Sequence, residues 1–511
     1  MEGMGILNEV TSALDSKRSQ IHLHGRELRV LKGPDEYYRE IRAQLQRAKR
    51  HVALSALYLG TGDLELRLIK DLDDLLDREP DVKVTFMFDF NRAHRMWRSD
   101  DGSNEEVPQY YMLLPLLRKY GEQRVALRLY EPPTNVFKQR MPQQVKETLG
   151  VYHVKFSMFD DTTILTGANL SEEYFINRQD RYLVVPSGRM APFFERFVSS
   201  LSKLCYQANT DGSLSPPKLS HENSQSSIME VLTSSQSVTR DNGGNFDADT
   251  VVVPFMQHAP VGIEQESQLL PRLLQYLARV NTTDAGHPAS PLRCASLVVS
   301  SPYPSFRQDL TDCVTNAAWT ISSAHPTTVS KTTTAVISAE TTAHGFGGER
   351  GLGVKALIPK LHDHIMAESL VASLDRIKAT KAARNGTHEV EPVVAMKYCR
   401  EGWSFHSKGI WAELKRRGGD SDFHDAAASI TYVGSSNMGE RSLCRDMELG
   451  FVVVTQNKAL QAALQEEVAR ILKYTQKVPV KQLYAPTIPT GSWLHSSRSI
   501  ALLSRLFRSV L

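Results

Sequence analysis

Cysteine is scarce and scattered in this chain. There are five residues, Cys205, Cys294, Cys313, Cys399 and Cys444, with no CxxC spacing. An odd, sparse set excludes a disulfide framework and a structural zinc site. No run of about 18 apolar residues occurs, so no transmembrane helix is expected. A large excess of one charge sign is also missing. The chain has 60 Lys and Arg against 57 Asp and Glu, a net charge of +3. That balance by itself implies no nucleic-acid partner. The first residues, MEGMGILNEVTSALDSKRSQ, lack the apolar core of a secretory signal, and their acidic residues do not fit a transit peptide.

What is present is an ordinary globular composition over 511 residues, 41% hydrophobic and 23% charged. That length exceeds one ordinary core and predicts two domains or a duplicated unit. HVALSALYL at 51–59 and VKVTFMFDF at 82–90 read as strands. PDEYYREIRAQLQRAK at 34–49 and the leucine-rich GDLELRLIKDLDDLLDREP read as helices. The order repeats after residue 250, with helices at 264–280 and 305–317 and strands at 296–303 and 334–339. Such alternation predicts an α/β fold with a mixed or parallel sheet. Residues 1–208 make the first unit and 248–480 the second. The Ser/Asn-rich stretch 209–247 reads as a linker or mobile insertion.

The chemistry sits in a repeat. The first half holds His153-Val-Lys155, with Asp160 five residues past the lysine. The second holds His406-Ser-Lys408, with Glu413 at the same distance. On a strand, residues i and i+2 face one side, so each His and Lys point together. A single His-x-Lys is common and usually means nothing. Here each copy is followed by a small-small-Asn turn, Gly167-Ala168-Asn169 and Ser435-Ser436-Asn437. An acid, Asp180 or Glu448, follows that Asn by 11 residues in both halves and runs into a hydrophobic strand. The His-to-Asn intervals differ, 16 against 31 residues, and the excess falls in the polar stretch KRRGGDSDFHDAAAS. Asp160 and Glu413 read as supports for a turn or strand end.

Histidine is a competent nucleophile at phosphorus when a second group protonates the leaving oxygen. Two histidines from two halves divide those roles. Lys155, Lys408, Asn169 and Asn437 then hold phosphoryl oxygens. The lysines do the neutralising, so neither a metal nor a cofactor is expected. Arg178, Arg181, Arg441 and Arg445 follow the motifs closely and are candidates for an acceptor's phosphate. The loop HGFGGERGLG at 344–353, with Gly345 and Gly347, is a candidate for backbone contact with a pyrophosphate.

These motifs resemble the duplicated HxKxxxxD signature of the phospholipase D superfamily, over about residues 35–480. Glu413 departs from that signature but keeps the charge. Within the superfamily, SALYLGTGDLE at 55–65, the segment 153–182, HGFGGERG at 344–351 and GWSFHSKGIW at 402–411 are similar to the eukaryotic phosphatidylglycerophosphate synthase family. The resemblance implies two pseudo-repeated α/β/α domains, each with a mixed β-sheet flanked by helices, and an active site at their interface. It implies transfer of a phosphatidyl group from CDP-diacylglycerol to glycerol 3-phosphate through a phosphatidyl-histidine, in phosphatidylglycerol and cardiolipin synthesis. His153 would be the nucleophile and His406 the general acid/base. The second acids would cross over, Glu448 orienting His153 and Asp180 orienting His406. A peripheral place on the mitochondrial inner membrane also follows from the family.

Residues 481–511 read as a basic amphipathic terminal helix. Over 492–511, Ile500, Leu503, Phe507 and Val510 fall on one face and Arg498, Arg505 and Arg508 on the other, an interfacial membrane pattern. Two other functions compete. One is a hydrolase of the same fold, acting on phospholipid or nucleic acid; the other is an inert scaffold. The small net charge disfavours a nuclease, and two intact His-x-Lys copies disfavour a scaffold. The sequence is equally compatible with a monomer and a homo-oligomer.

Overall fold

Helix Asp63–Arg78 buries Leu68, Leu72, Leu75 and Leu76, spaced to lie on one face. They share a core with Val84, Phe86 and Phe88 of strand Lys83–Asp89, which is buried from its second residue onward. A strand apolar on both faces needs cover on both sides of its sheet. The structure, a computed structural model, describes residues 2–15, 19–98, 106–133, 147, 150–220, 225–233, 247–258, 263–282, 290–302, 306–324, 333–339, 357–382, 393–417, 426–479 and 502–503.

Two large sheets of the same construction result. Each centres on three parallel strands: His51–Ser55, Lys83–Asp89 and Val125–Tyr130 in the first, and Leu292–Ser300, Thr333–Ser338 and Val393–Tyr398 in the second. Each continues into three antiparallel strands. These are Phe156–Phe159, Thr162–Thr166 and Tyr182–Pro186 in the first sheet. In the second they are Gly409–Arg416, Ala428–Gly434 and Glu448–Thr455. The expected duplicated mixed α/β architecture is therefore present. Most of the excess between His406 and Asn437 lies between the paired strands Gly409–Arg416 and Ala428–Gly434, and the rest lengthens those two strands. The two halves also share apolar core. Phe193 and Phe194 of helix Ala191–Ser202 pack on Phe451 of the second sheet, ring centroids 6.3 and 5.8 Å away.

Three sequence expectations need correction. The N-terminal residues, expected with the first half, join the second half's sheet and core, although Ile21 and Leu23 also share buried apolar core with first-half residues such as Phe193 and Phe194. Ile21–Leu23 pairs with Thr250–His258 of the second sheet. Ile6, Leu7, Val10 and Leu14 of helix Glu2–Asp15 share that half's core with Leu269 and Leu273. An edge strand with free backbone groups recruits such a partner. Within 209–247, Gln225–Thr233 is a helix that buries Ile228, Val231 and Leu232. Three apolar residues at helical spacing outweigh the polar composition around them. The third correction concerns the His-x-Lys triplets. They lie in extended chain just before strands Phe156–Phe159 and Gly409–Arg416, not within them. The amphipathic pattern over 492–511 lies outside the described residues except for 502 and 503, as do Gly345, Gly347 and the rest of 344–353.

Candidate active site

The backbone of each histidine pairs with the other half of the molecule. His153 N donates to Met447 O at 2.9 Å, and His406 N donates to Gln179 O at 2.8 Å. Met447 precedes Glu448, and Gln179 precedes Asp180. The same exchange therefore occurs in both directions. It is reinforced by a bridge between Tyr152 and Met447 and by parallel pairing of Arg178–Gln179 with Ser404–Phe405. Glycine permits this seam. A Cβ on Gly167 would stand 2.9 Å from Gly434 O and 3.0 Å from Asp180 Oδ1.

This exchange delivers each acid to the opposite histidine. Glu448 Oε2 and Oε1 lie 2.9 and 3.0 Å from His153 Nδ1. Asp180 Oδ2 lies 2.6 Å from His406 Nδ1. A carboxylate at Nδ1 fixes the tautomer, stabilises the imidazolium and leaves Nε2 as the reacting atom. Each lysine folds back on its own histidine. Lys155 Nζ donates to His153 O at 2.9 Å, and Lys408 Nζ to His406 O at 2.7 Å. Lys408 Nζ also lies 2.6 and 2.9 Å from Nδ1 and Nε2 of the His406 ring.

All six side chains are buried, and burial sets their charge. Burial and the nearby Lys155 ammonium hold His153 well below its usual value, so its imidazole is neutral. Burial pushes Lys408 down to about 8 despite the Asp180 carboxylate. It also pushes Lys155 down. Asp180 is pushed up to about 6 by burial, against the pull of Lys408. Glu448 is raised by burial too, opposed by Lys155 and by two serine hydroxyls. In so dry a setting, charge developing on a phosphoryl group interacts strongly with these groups.

The remaining predicted residues divide sharply. Asn169 is beside the site, its Oδ1 accepting from Leu57 N and its Nδ2 donating to Tyr174 OH. Asn437 is half-buried, and among the described residues nothing donates to its Oδ1. Asp160 is not at the histidines. Its carboxylate accepts from the backbone N–H groups of Lys49, Arg50 and His51. Glu413 accepts from Gln465 at 2.6 Å.

Of the arginines, Arg181 is a clamp across the seam. It pairs with buried Glu467 at 2.7 Å, donates to Thr431 and the Tyr432 carbonyl, and stacks 3.9 Å from the Trp411 ring centroid. Arg178 lies over the Tyr174 ring and donates to Ser404. Arg441 donates to Glu147 O and lies 3.5 Å from Asp446. Arg445 is half-buried and follows the short helix Glu440–Cys444 that carries Arg441, its backbone N–H bonded to Arg441 O.

Sequence reasoning missed Ser435, Ser442 and Tyr174. Ser435 and Ser442 both donate to Glu448. Tyr174 OH lies 3.1 Å from His406 Nε2. A signal existed, because Tyr174 and Ser442 each follow their Asn by five residues.

The fold and the crossed histidine–carboxylate pairs define a duplicated scaffold of the phospholipase D type. Among solved structures, phosphatidylserine synthase from Haemophilus influenzae Rd KW20 superposes over 99% of both chains with a TM-score of 0.68, at 14% identity, a likeness of fold. No family model matches. Among curated proteins, the mitochondrial CDP-diacylglycerol–glycerol-3-phosphate 3-phosphatidyltransferase of Homo sapiens is 30% identical over 484 residues, 86% of this chain and 76% of that protein. The mitochondrial protein of the same name from Gallus gallus is 29% identical over 488 residues, again 86% and 76% of the two chains. The chain belongs to the CDP-diacylglycerol–glycerol-3-phosphate 3-phosphatidyltransferase family.

Proposed function

We propose that this chain transfers the phosphatidyl group of CDP-diacylglycerol to glycerol 3-phosphate, giving phosphatidylglycerophosphate and CMP. The observation that carries the reading is the pair of crossed contacts, His153 with Glu448 and His406 with Asp180, in a chain of this family. Neutral His153 attacks the phosphorus through Nε2 while Glu448 holds Nδ1–H. A P–N bond forms, the P–O bond to CMP breaks, and protonated His406 gives its Nε2 proton to CMP. The 1-hydroxyl of glycerol 3-phosphate then attacks the same phosphorus and passes its proton to His406. The P–N bond breaks and His153 is restored. Two displacements give net retention at phosphorus.

Lys155, Lys408 and Asn437 hold the phosphoryl oxygens, while Asn169 supports the turn beside them. Arg178 and Arg181 are committed to the seam. Arg441 and Arg445, close after Asn437, are better placed for the acceptor's phosphate. Among the described residues no helix is long and apolar enough to cross a membrane. Several curated relatives are named mitochondrial. A peripheral association with the mitochondrial inner membrane, through 492–511, accords with a diacyl substrate.

Labelled CDP-diacylglycerol, with and without glycerol 3-phosphate, tests the reading. Acceptor-dependent CMP release and labelled phosphatidylglycerophosphate are expected. Phosphatidic acid formed at the same rate without acceptor would replace the transferase by a hydrolase.

A further inference from the structure

Five residues after each turn asparagine stands a hydroxyl side chain that touches a histidine–carboxylate pair, Tyr174 in the first half and Ser442 in the second. The two touch opposite ends of their pairs. Ser442 donates to Glu448, on the Nδ1 side of His153. Tyr174 OH instead lies 3.1 Å from Nε2 of His406, the nitrogen that exchanges the proton.

The phenol is firmly held. Its ring meets the imidazole edge-on, centroids 5.0 Å apart at 85°. The Arg178 guanidinium covers the ring at 4.3 Å. The hydroxyl oxygen accepts from Asn169 Nδ2 at 3.2 Å. Burial raises the phenol far above its usual range, so it keeps its proton. A hydroxyl has one donor and two acceptor positions. With one lone pair on Asn169, Tyr174 can donate to neutral Nε2, which Lys408 Nζ also reaches at 2.9 Å, or accept from protonated Nε2–H.

We propose that Tyr174 is a positioning residue that holds His406 Nε2 in both protonation states and occupies the place a hydrolytic water would take. The catalytic part of this inference rests on the two-step transfer proposed above; the contact with Nε2 does not. An incoming oxygen must displace the phenol to reach His406. An acceptor anchored by its own phosphate has already met much of the entropic cost of doing so, whereas a loose water has not. Tyr174 thereby favours transfer over hydrolysis.

Tyr174→Phe keeps the ring and removes the hydroxyl. One hydrogen bond of about 1–1.5 kcal/mol predicts a roughly five- to twelvefold fall in transfer turnover. Acceptor KM should stay within about twofold, and the ratio of phosphatidic acid to phosphatidylglycerophosphate should rise about fivefold or more. Tyr182→Phe removes a neighbouring buried hydroxyl that contacts Tyr174 O rather than His406. It should leave the ratio unchanged and so controls for packing. A second readout needs no substrate. In 15N-histidine-labelled protein, the His406 Nε2 resonance, identified by its loss in His406→Ala, should move in Tyr174→Phe. An unmoved resonance overturns the proposal, and so does an unchanged product ratio. If wild-type protein lacks acceptor-dependent CMP release, the transferase reading fails instead, while the resonance still reports the contact.

Discussion

Glu448, which faces His153, accepts from the hydroxyls of Ser435 and Ser442. Asp180, which faces His406, accepts from a backbone N–H at 2.8 Å and stands 4.0 Å from Lys408 Nζ. The positions matching Ser435 and Ser442 in the first copy are Gly167 and Tyr174. Glycine there leaves room for the seam, and tyrosine reaches past the acid to the far nitrogen of His406. Arg181 likewise matches Leu449. One copy sends a cation across the seam, and the other places a buried apolar residue. Duplication thus conserves the backbone exchange that brings histidine to acid. The side chains around that frame diverge, in keeping with the proposal that one imidazole attacks and the other carries a proton.

The strongest break of this comparison is removal of each imidazole. His153→Ala and His406→Ala should each lower turnover by about 10³-fold or more. A phosphatidyl-histidine trapped in His406→Ala, and not in His153→Ala, fits His153 as nucleophile and His406 as proton carrier; the opposite pattern exchanges them. Next in size is the clamp. Glu467→Gln leaves the Arg181 guanidinium buried without its partner and should cost about 3–5 kcal/mol of stability by chemical denaturation. KM for glycerol 3-phosphate should not change in molecules that remain folded. A large rise in KM would return Arg181 to the acceptor site.

The pH profile sharpens the difference between the two carboxylates. Each must be ionised to support an imidazolium, so turnover should fall as pH drops through about 7, where Glu448 takes up a proton, and further through about 6, where Asp180 does. It should fall again above about 8 as Lys408 loses its charge. Asp180→Asn should change the acid limb; an unaltered limb would assign it to another group. The serine bonds hold Glu448 down against burial. Ser435→Ala should therefore move the acid limb to higher pH, and a shift to lower pH would contradict that role. Smallest are the acids five residues past the lysines. Asp160→Ala loses three backbone contacts and should cost about 1–3 kcal/mol with kcat unchanged. Glu413→Gln should change stability by less than about 0.5 kcal/mol. A kcat loss of about tenfold in either variant would place that acid in the chemistry.

Much of the fold was legible because apolar spacing is a local property. Helix Asp63–Arg78 and strand Lys83–Asp89 fall within two residues of their predicted limits. The packing of Glu2–Asp15 and Ile21–Leu23 on the second half was not legible, since it depends on an edge more than 200 residues away. In the site, His153, Lys155, His406, Lys408, Asp180 and Glu448 were all marked by repeat spacing. Ser435 opens the small-small-Asn turn of the second copy, yet a serine announces no partner. The arginines show the limit most clearly. Arg178 and Arg181 follow their motif as closely as Arg441 and Arg445 do, but only the tertiary structure shows that Arg181 is locked to Glu467.

By itself the sequence determined the duplication and the two His-x-Lys copies. It also set the 11-residue interval that marks the second acids, because a repeat is written in spacing. Which acid serves which histidine is not written in the spacing, and the crossing was expected only from the family resemblance. The tertiary structure decided it through two backbone bonds, His153 N to Met447 O and His406 N to Gln179 O. Each fixes a histidine one residue from the opposite half's carboxylate. It also decided that Tyr174 stands at Nε2 of His406, a contact between residues 232 positions apart that no local pattern encodes.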